Sequence, residues 1–298
     1  MKAPKKEVDK ETGGREYWRG LHLVLRNPLT ALGLAIIITL TLIAVFAPQI
    51  APYPDQGRGA SNLKDRLAPP SFDHFLGTDD LGRDILSRII YGARVSLKSA
   101  IIVVVIVIAI GTPLGLIAGY FGGRIDEVIM RMTDAILAFP ALLLAIAIVA
   151  ALGPNLTNAL IAISIPWWPW YTRLTRGQAI SLRERQFVEA AKAIGVSDFR
   201  IMFRHILPNC LSPIIVQATL DMGYVILSIA GLGFLGLGTQ PPTPDWGVML
   251  SNGREFVLYE WWYPTFPGLA IFITVLGFNF LGDGLREASD PRMRGKFR

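Results

Sequence analysis

Charge-free apolar stretches alternate with polar, basic ones along this chain. Residues 29–47 carry no charged side chain and end at Pro48, residues 99–123 form a second such stretch, and residues 135–172 form a third. A helix needs roughly 20 mostly apolar residues to cross the hydrocarbon core of a bilayer. The third stretch is too long for one crossing, and Gly153-Pro154-Asn155 divides it at a tight turn into spans three and four. A fifth span begins after Pro208 and runs into the 230s, and a sixth covers about 265–282. The pattern predicts an all-α polytopic membrane protein with six transmembrane helices, an even number that puts both termini on one side. Pro140, Pro166 and Pro169 mark spans three and four as kinked or broken, which is tolerable where protein or a watery cavity satisfies the backbone.

Composition agrees with this class. The chain has 298 residues, of which 52% are hydrophobic and only 17% charged, and its mean hydropathy is +0.43. Lys and Arg set the orientation. Residues 1–28, 120–134, 173–208 and the tail from 285 hold 21 of the 29. Both termini and the 173–208 link are therefore expected in the cytoplasm. The net charge of +6 reads as topology, and nucleic-acid binding is not indicated. Residues 29–48 read as an uncleaved signal anchor, since the polar lead and the apolar core are both long for a secretory signal. The division expected is a tail at 1–28, a first helix at 29–48, an extracytoplasmic segment at 49–94, a core at 95–284 and a tail at 285–298. The single cysteine, Cys210, excludes an internal disulfide and reads as a small buried side chain.

Several patterns invite functional readings that the chemistry does not sustain. "GLGFLG" at Gly231 to Gly236 has dinucleotide spacing, but it ends an apolar span and is followed by "TQPPTPDWG". Close helix packing and a helix break account for it better. Gly111, Gly115 and Gly119 lie four apart and form a small-residue stripe on which a second helix can approach. In residues 75–97, Asp79, Asp80 and Asp84 could suggest a metal site. An amphipathic helix on the outer membrane surface is preferred, capped by Thr78 or Asp79, with Ile85, Leu86, Ile89 and Ile90 on its apolar face. The three histidines fall in separate segments without zinc spacing, and no catalytic constellation is visible.

Two features remain. Asp221 interrupts span five, and an ionisable group at that depth either lines an aqueous path or tolerates water at a cavity between subunits. The second feature is "EAAKAIGVSDFRIMFRHILPN", residues 189–209, within a 36-residue polar link between apolar spans. Residues 183–194 favour helix, Gly195 breaks it, and Ser197 or Asp198 caps a second helix that stops before Pro208. Ala190 and Ala191 would give a small surface at the corner. The segment reads as a docking elbow for another protein.

Glu189-Ala190-Ala191, then Gly195, then Leu207-Pro208 resembles the EAA loop of ABC-importer permeases. His205 stands where the general form has Ile, and "HILPN" resembles the dipeptide/oligopeptide/nickel branch. "LGTDDLGRDILSRIIYGARVSL", "GFLGLGTQPPTPDWG" and "GFNFLGDGLREASDP" are similar to the second, DppC/OppC-type, permease subunit of that branch. The resemblance implies a type I (MetI-like) permease core of five helices plus an extra N-terminal helix. It also implies a homologous second permease subunit, two cytoplasmic ABC ATPase subunits that bind ATP and Mg, and an extracytoplasmic solute-binding protein. The coupling loop implied comprises Glu189, Ala190, Ala191, Gly195, Val196, Ser197, Asp198, His205, Leu207 and Pro208. No P-loop is present, so this chain is expected to be no enzyme, with no cofactor of its own. Peptides are the expected cargo. Nickel complexes, glutathione and oligosaccharides are alternatives within the class, and a stand-alone secondary transporter is the alternative outside it.

Overall fold

Apolar runs, glycine stripes and prolines at helix ends leave this chain little choice but helix. The computed structural model describes residues 27–289, and among them there is no strand beyond one isolated bridge between Thr78 and Asp84. The expected tail at 1–28 lies almost wholly outside the described residues; of the one expected at 285–298, residues 285–289 continue the last helix and the rest lie outside. Nine helices of eight residues or more organise the described residues: α1 (Pro28–Val45), α2 (Ile85–Phe121), α3 (Gly123–Leu137), α4 (Ala141–Leu152), α5 (Leu156–Arg183), α6 (Gln186–Ala193), α7 (Leu207–Phe234), α8 (Trp246–Gly253) and α9 (Trp262–Ser289).

Among the described residues, four helical segments are long and apolar enough to cross a membrane: α1, α2, residues 198–234 including α7, and α9. A fifth crossing requires α3 and α4 together, and the two are bent by 83° at Pro140. The 12 residues of α4 reach only about 18 Å at 1.5 Å per residue. The break at Pro140 is therefore real, and the helix it starts is shorter than a complete span. Gly153 turns the chain as expected, and the Asn155 side chain caps α5 by accepting from Asn158 N at 2.9 Å. With 28 residues, α5 has the length to cross, but Asn, Thr, Trp and Pro dilute its apolar content. It is continuous through the buried Pro166 and Pro169.

The centre of the bundle is the α2–α5 pair. At Gly115 a Cβ would stand 2.9 Å from the Thr175 Cβ and 3.0 Å from the Arg176 N, and at Gly119 it would stand 2.7 Å from the Ala179 Cβ. Glycine at these positions lets the α5 backbone sit directly on α2. On the other side α1 lies against α9, where a Cβ at Gly33 would come within 2.8 Å of Gly277 O and Leu281 N.

Residues 75–97 differ from the expectation. No separate surface helix forms there. Asp84, rather than Thr78 or Asp79, caps the helix by accepting from Ser87 N at 2.7 Å, and α2 then runs 37 residues without interruption. The reason is a buried polar network ahead of it. Asp79 accepts from Arg83 Nε at 2.7 Å, Asp80 from the Tyr263 hydroxyl at 2.7 Å, and Asp84 pairs with His74 Nδ1 at 3.0 Å. The acids are committed to these protein partners, and Ile85 and Ile90 are buried. The 235–261 loop closes over the same end: Trp246 Nε1 donates to Ile89 O at 3.1 Å, and Asp245 caps α8 at Gly247 N and Val248 N. Within the glycine-rich 231–236 segment, Gly233 packs on this loop, where a Cβ would stand 2.9 Å from Asp245 Oδ1. The helix α7 ends there at Phe234.

Candidate functional site

The residues singled out by sequence fall at two places: the bend between α5 and α7, and the middle of α7. At the bend, α5 ends at Arg183 and α6 follows after two residues. The helix α6 closes in a Schellman pattern, with Val196 N donating to Ala191 O at 3.1 Å and Gly195 N donating to Lys192 O at 2.9 Å. Gly195 has φ +77°, and no atom lies within 4 Å of where its Cβ would be. The left-handed backbone explains why glycine belongs there, and the space around it is open. Ser197 is extended, and a short helical turn at Asp198–Arg200 begins the second limb.

The second limb does not stop before Pro208. Residues Ile201–Ile206 form a π-helical turn that runs directly into α7, with Pro208 in its first turn. A proline in an unbroken α-helix would clash with the carbonyl four residues back, and the widened turn removes that conflict. His205 lies in this turn and Leu207 follows it, both half-buried, while Pro208 is exposed. The Asn209 side chain donates to His205 O at 2.7 Å.

The corner also departs from the expected alanine surface. Ala191 is buried together with Val188, and this inner face packs on the bundle. Glu189, Ala190, Gly195, Ser197 and Asp198 face outward, and Val196 is half-buried. The outward surface is dominated by residues that the motif does not name. Ile194 is 81% exposed and Phe199 68% exposed, and Phe187 is exposed as well. Phe199 stacks on Phe203 at 4.5 Å between ring centroids. Their spacing of four along a helical turn is the one local signal that could have revealed the pair. Exposed aromatic and aliphatic side chains interspersed along the bend with the exposed Glu189, Lys192 and Arg200 have the composition of a protein-docking surface.

The bend is anchored to the bundle from several directions. The Tyr120 hydroxyl at the end of α2 donates to Asp198 Oδ1 at 2.5 Å, Lys192 Nζ lies 5.1 Å above the Tyr120 ring, and Arg183 donates to Gly119 O at 3.2 Å. Arg176 of α5 holds Asp126 of α3 through both carboxylate oxygens, at 2.5 and 2.6 Å. Nothing in the local sequence around any of these residues announces the pairing.

In the middle of α7, Asp221 is 7% exposed. Its Oδ1 accepts from Gln217 Nε2 at 3.0 Å, while Oδ2 and the nearby Tyr171 hydroxyl are buried with no hydrogen-bond partner among the described residues. Gln217, Asp221, Tyr224 and Ser228 recur at helical spacing along one side of α7. Tyr224 stacks on Trp167 of α5 at 4.7 Å. A cavity of about 130 Å³ opens beside this pair, lined by Leu142, Trp167, Tyr224, Leu227, Ser228 and Gly231. Asp221 and the bend are separate places: Asp221 lies in the middle of α7, and the bend precedes its first residue, Leu207.

Comparison with known proteins supplies the context for both places. The family described as "Binding-protein-dependent transport system inner membrane component" matches residues 111–295. A second description, "N-terminal TM domain of oligopeptide transport permease C", matches residues 15–70. The chain is 53% identical over 278 residues to the dipeptide transport system permease protein DppC of Alkalihalophilus pseudofirmus, covering 93% of this chain and 90% of that protein. It is 48% identical over 287 residues to the dipeptide transport system permease protein DppC of Escherichia coli, covering 94% and 93%. Among solved structures, an inward-facing MetNI methionine ABC transporter chain aligns with a TM-score of 0.53 at 18% identity, covering 68% of this chain and 96% of that one. At that identity the likeness concerns the fold alone, and the fold is the MetI-like, type I importer arrangement.

Proposed function

The chain belongs to the family of binding-protein-dependent transport system inner membrane components, and from that premise we propose that it forms half of the translocation pathway of an ABC importer for di- and oligopeptides. The observation that carries the reading is the bend at 186–206: a left-handed glycine between two helical limbs, presenting Phe187, Ile194 and Phe199 outward from the bundle. Such a surface supports an elbow that seats on a partner ATPase. That partner would bind ATP and Mg, and this chain would convert its closure into movement of the helices. Two ATPase subunits, a homologous second permease and an extracytoplasmic solute-binding protein complete the proposed assembly. The chain is no enzyme in this scheme.

Six crossings are proposed: α1 as the extra N-terminal helix, then α2, the bent α3–α4 pair, α5, α7 and α9. The basic bias then puts both termini and the elbow in the cytoplasm of a bacterial or archaeal cell. Relatives whose names specify dipeptide transport support peptides as cargo over nickel, glutathione or oligosaccharides. A stand-alone secondary transporter finds no support among these relatives. The α7 stripe of Gln217, Asp221, Tyr224 and Ser228 is proposed to line the path, since polar groups at membrane depth belong on an aqueous route.

Uptake of radiolabelled Ala-Ala in cells deleted for this chain tests the cargo. Loss of uptake, restored by the chain and abolished by ATP depletion, is expected. Unchanged dipeptide uptake alongside lost nickel or glutathione uptake would overturn the peptide assignment. Uptake insensitive to ATP depletion would overturn the importer itself.

A further inference from the structure

We infer that Tyr120 is a positioning residue that clasps the elbow to the end of α2, so that the two move as one body. The inference rests on the elbow reading above. Tyr120 is the second-last residue of α2 and is 7% exposed. Its hydroxyl donates to Asp198 Oδ1 at 2.5 Å, a charge-assisted bond to the first residue of the elbow's second limb. Lys192, in the last turn of the first limb, places its ammonium 5.1 Å over the same ring. One aromatic side chain therefore touches both limbs, on either side of Gly195. Arg183 closes the arrangement from the end of α5 by donating to Gly119 O at 3.2 Å, one residue before Tyr120.

The rest of α2 gives this clasp its reach. The helix is 37 residues long and unbroken, which spans about 55 Å at 1.5 Å per residue. Its first residues are fixed at the opposite end of the bundle, where Asp84 caps it and Trp246 holds Ile89 O. Between the ends, Gly111, Gly115 and Gly119 seat it on α5 at backbone distance. A push on the elbow thus reaches the far end along one continuous helix, which carries Pro113 without a break, with Tyr120 as the joint. Without the hydroxyl, Asp198 loses its tie and the second limb can yield before α2 moves.

The test uses the complex purified through a tag on the full chain and reconstituted in vesicles. Dipeptide transported per ATP hydrolysed is measured with radiolabelled Ala-Ala. Tyr120→Phe should leave the partner subunits bound and lower this ratio about tenfold, the equivalent of ~1.4 kcal/mol. Asp198→Ala should do the same, and the double variant should be no worse than either single one. Spin labels at Phe121→Cys and Arg200→Cys read the clasp directly, without any cargo. Their distance should stay constant between nucleotide-free and ATP-bound complex, and should broaden when Tyr120→Phe is added. A distance that changes with ATP in the otherwise native chain, or additive losses in the double variant, would overturn the clasp. If Gly195→Asp abolishes coupling while Tyr120→Phe leaves the ratio unchanged, the clasp fails and the elbow stands. If Gly195→Asp also couples normally, the elbow reading itself fails.

Discussion

Replacing Gly195 by Asp separates the cost of bending the chain from the cost of docking it. Gly195 sits at φ +77° with open space around its missing side chain. An L residue in the left-handed region costs roughly 1–2 kcal/mol, with Asp toward the low end because its short polar side chain can bond locally. Nothing among the described residues obstructs the new carboxylate, and a strain of that size is small against the roughly 5–15 kcal/mol that holds a typical domain folded. The chain should therefore insert and fold. A partner seated on the corner would close over the new carboxylate. Leaving a charge buried without a counter-ion costs about 3–5 kcal/mol, which is more than a hundredfold in docking affinity. Substrate-stimulated ATP hydrolysis in the assembled complex should disappear, while the amount of chain in the membrane stays normal. Gly195→Ala carries at least as much backbone strain without the charge and should keep measurable stimulation. Normal coupling in Gly195→Asp would refute the elbow assignment. An equal loss in both variants would attribute the effect to strain alone and refute the docking argument.

The remaining expectations concern other parts of the molecule. Asp221→Ala should change transport without weakening association with the ATPase, measured by co-purification; weakened association would argue against a pore-lining role. Phe199→Ala removes a ring that is 68% exposed, so thermal stability should shift little while ATPase co-purification falls by about tenfold, the ~1.4 kcal/mol loss typical of a docking-surface aromatic. Gly115→Leu inserts a side chain where a Cβ alone would already stand 2.9 Å from Thr175. Overpacking of this kind costs about 1–3 kcal/mol or more, and a fall in detergent melting temperature should follow.

How much of this was legible in the chain depends on the reach of each signal. The apolar stretches, the Gly153 turn and the Gly111/Gly115/Gly119 stripe are local or periodic, and the structure follows them. The Pro140 break was visible, but that it would leave α4 only 12 residues long was not, because hydropathy alone says nothing about the 83° bend. The acids at 79–84 looked like the start of a surface helix because their partners are distant: Tyr263 lies 183 residues from Asp80. The elbow is readable as a motif, and Ala190 does face outward, but Ala191 belongs to the inner face. A single sequence does not show which side of an eight-residue helix the bundle will cover. Tyr120 closed an apolar stretch and gave no sign of Asp198, 78 residues away.

The most direct test of the account is what this chain holds on to. Tagged, gently extracted from its native membrane and purified, it should bring with it one homologous permease and two ATPase copies per chain, counted by mass spectrometry. Recovery of the chain alone, or only with further copies of itself, would contradict the claim that the bend at Gly195 is the seat of an ATPase.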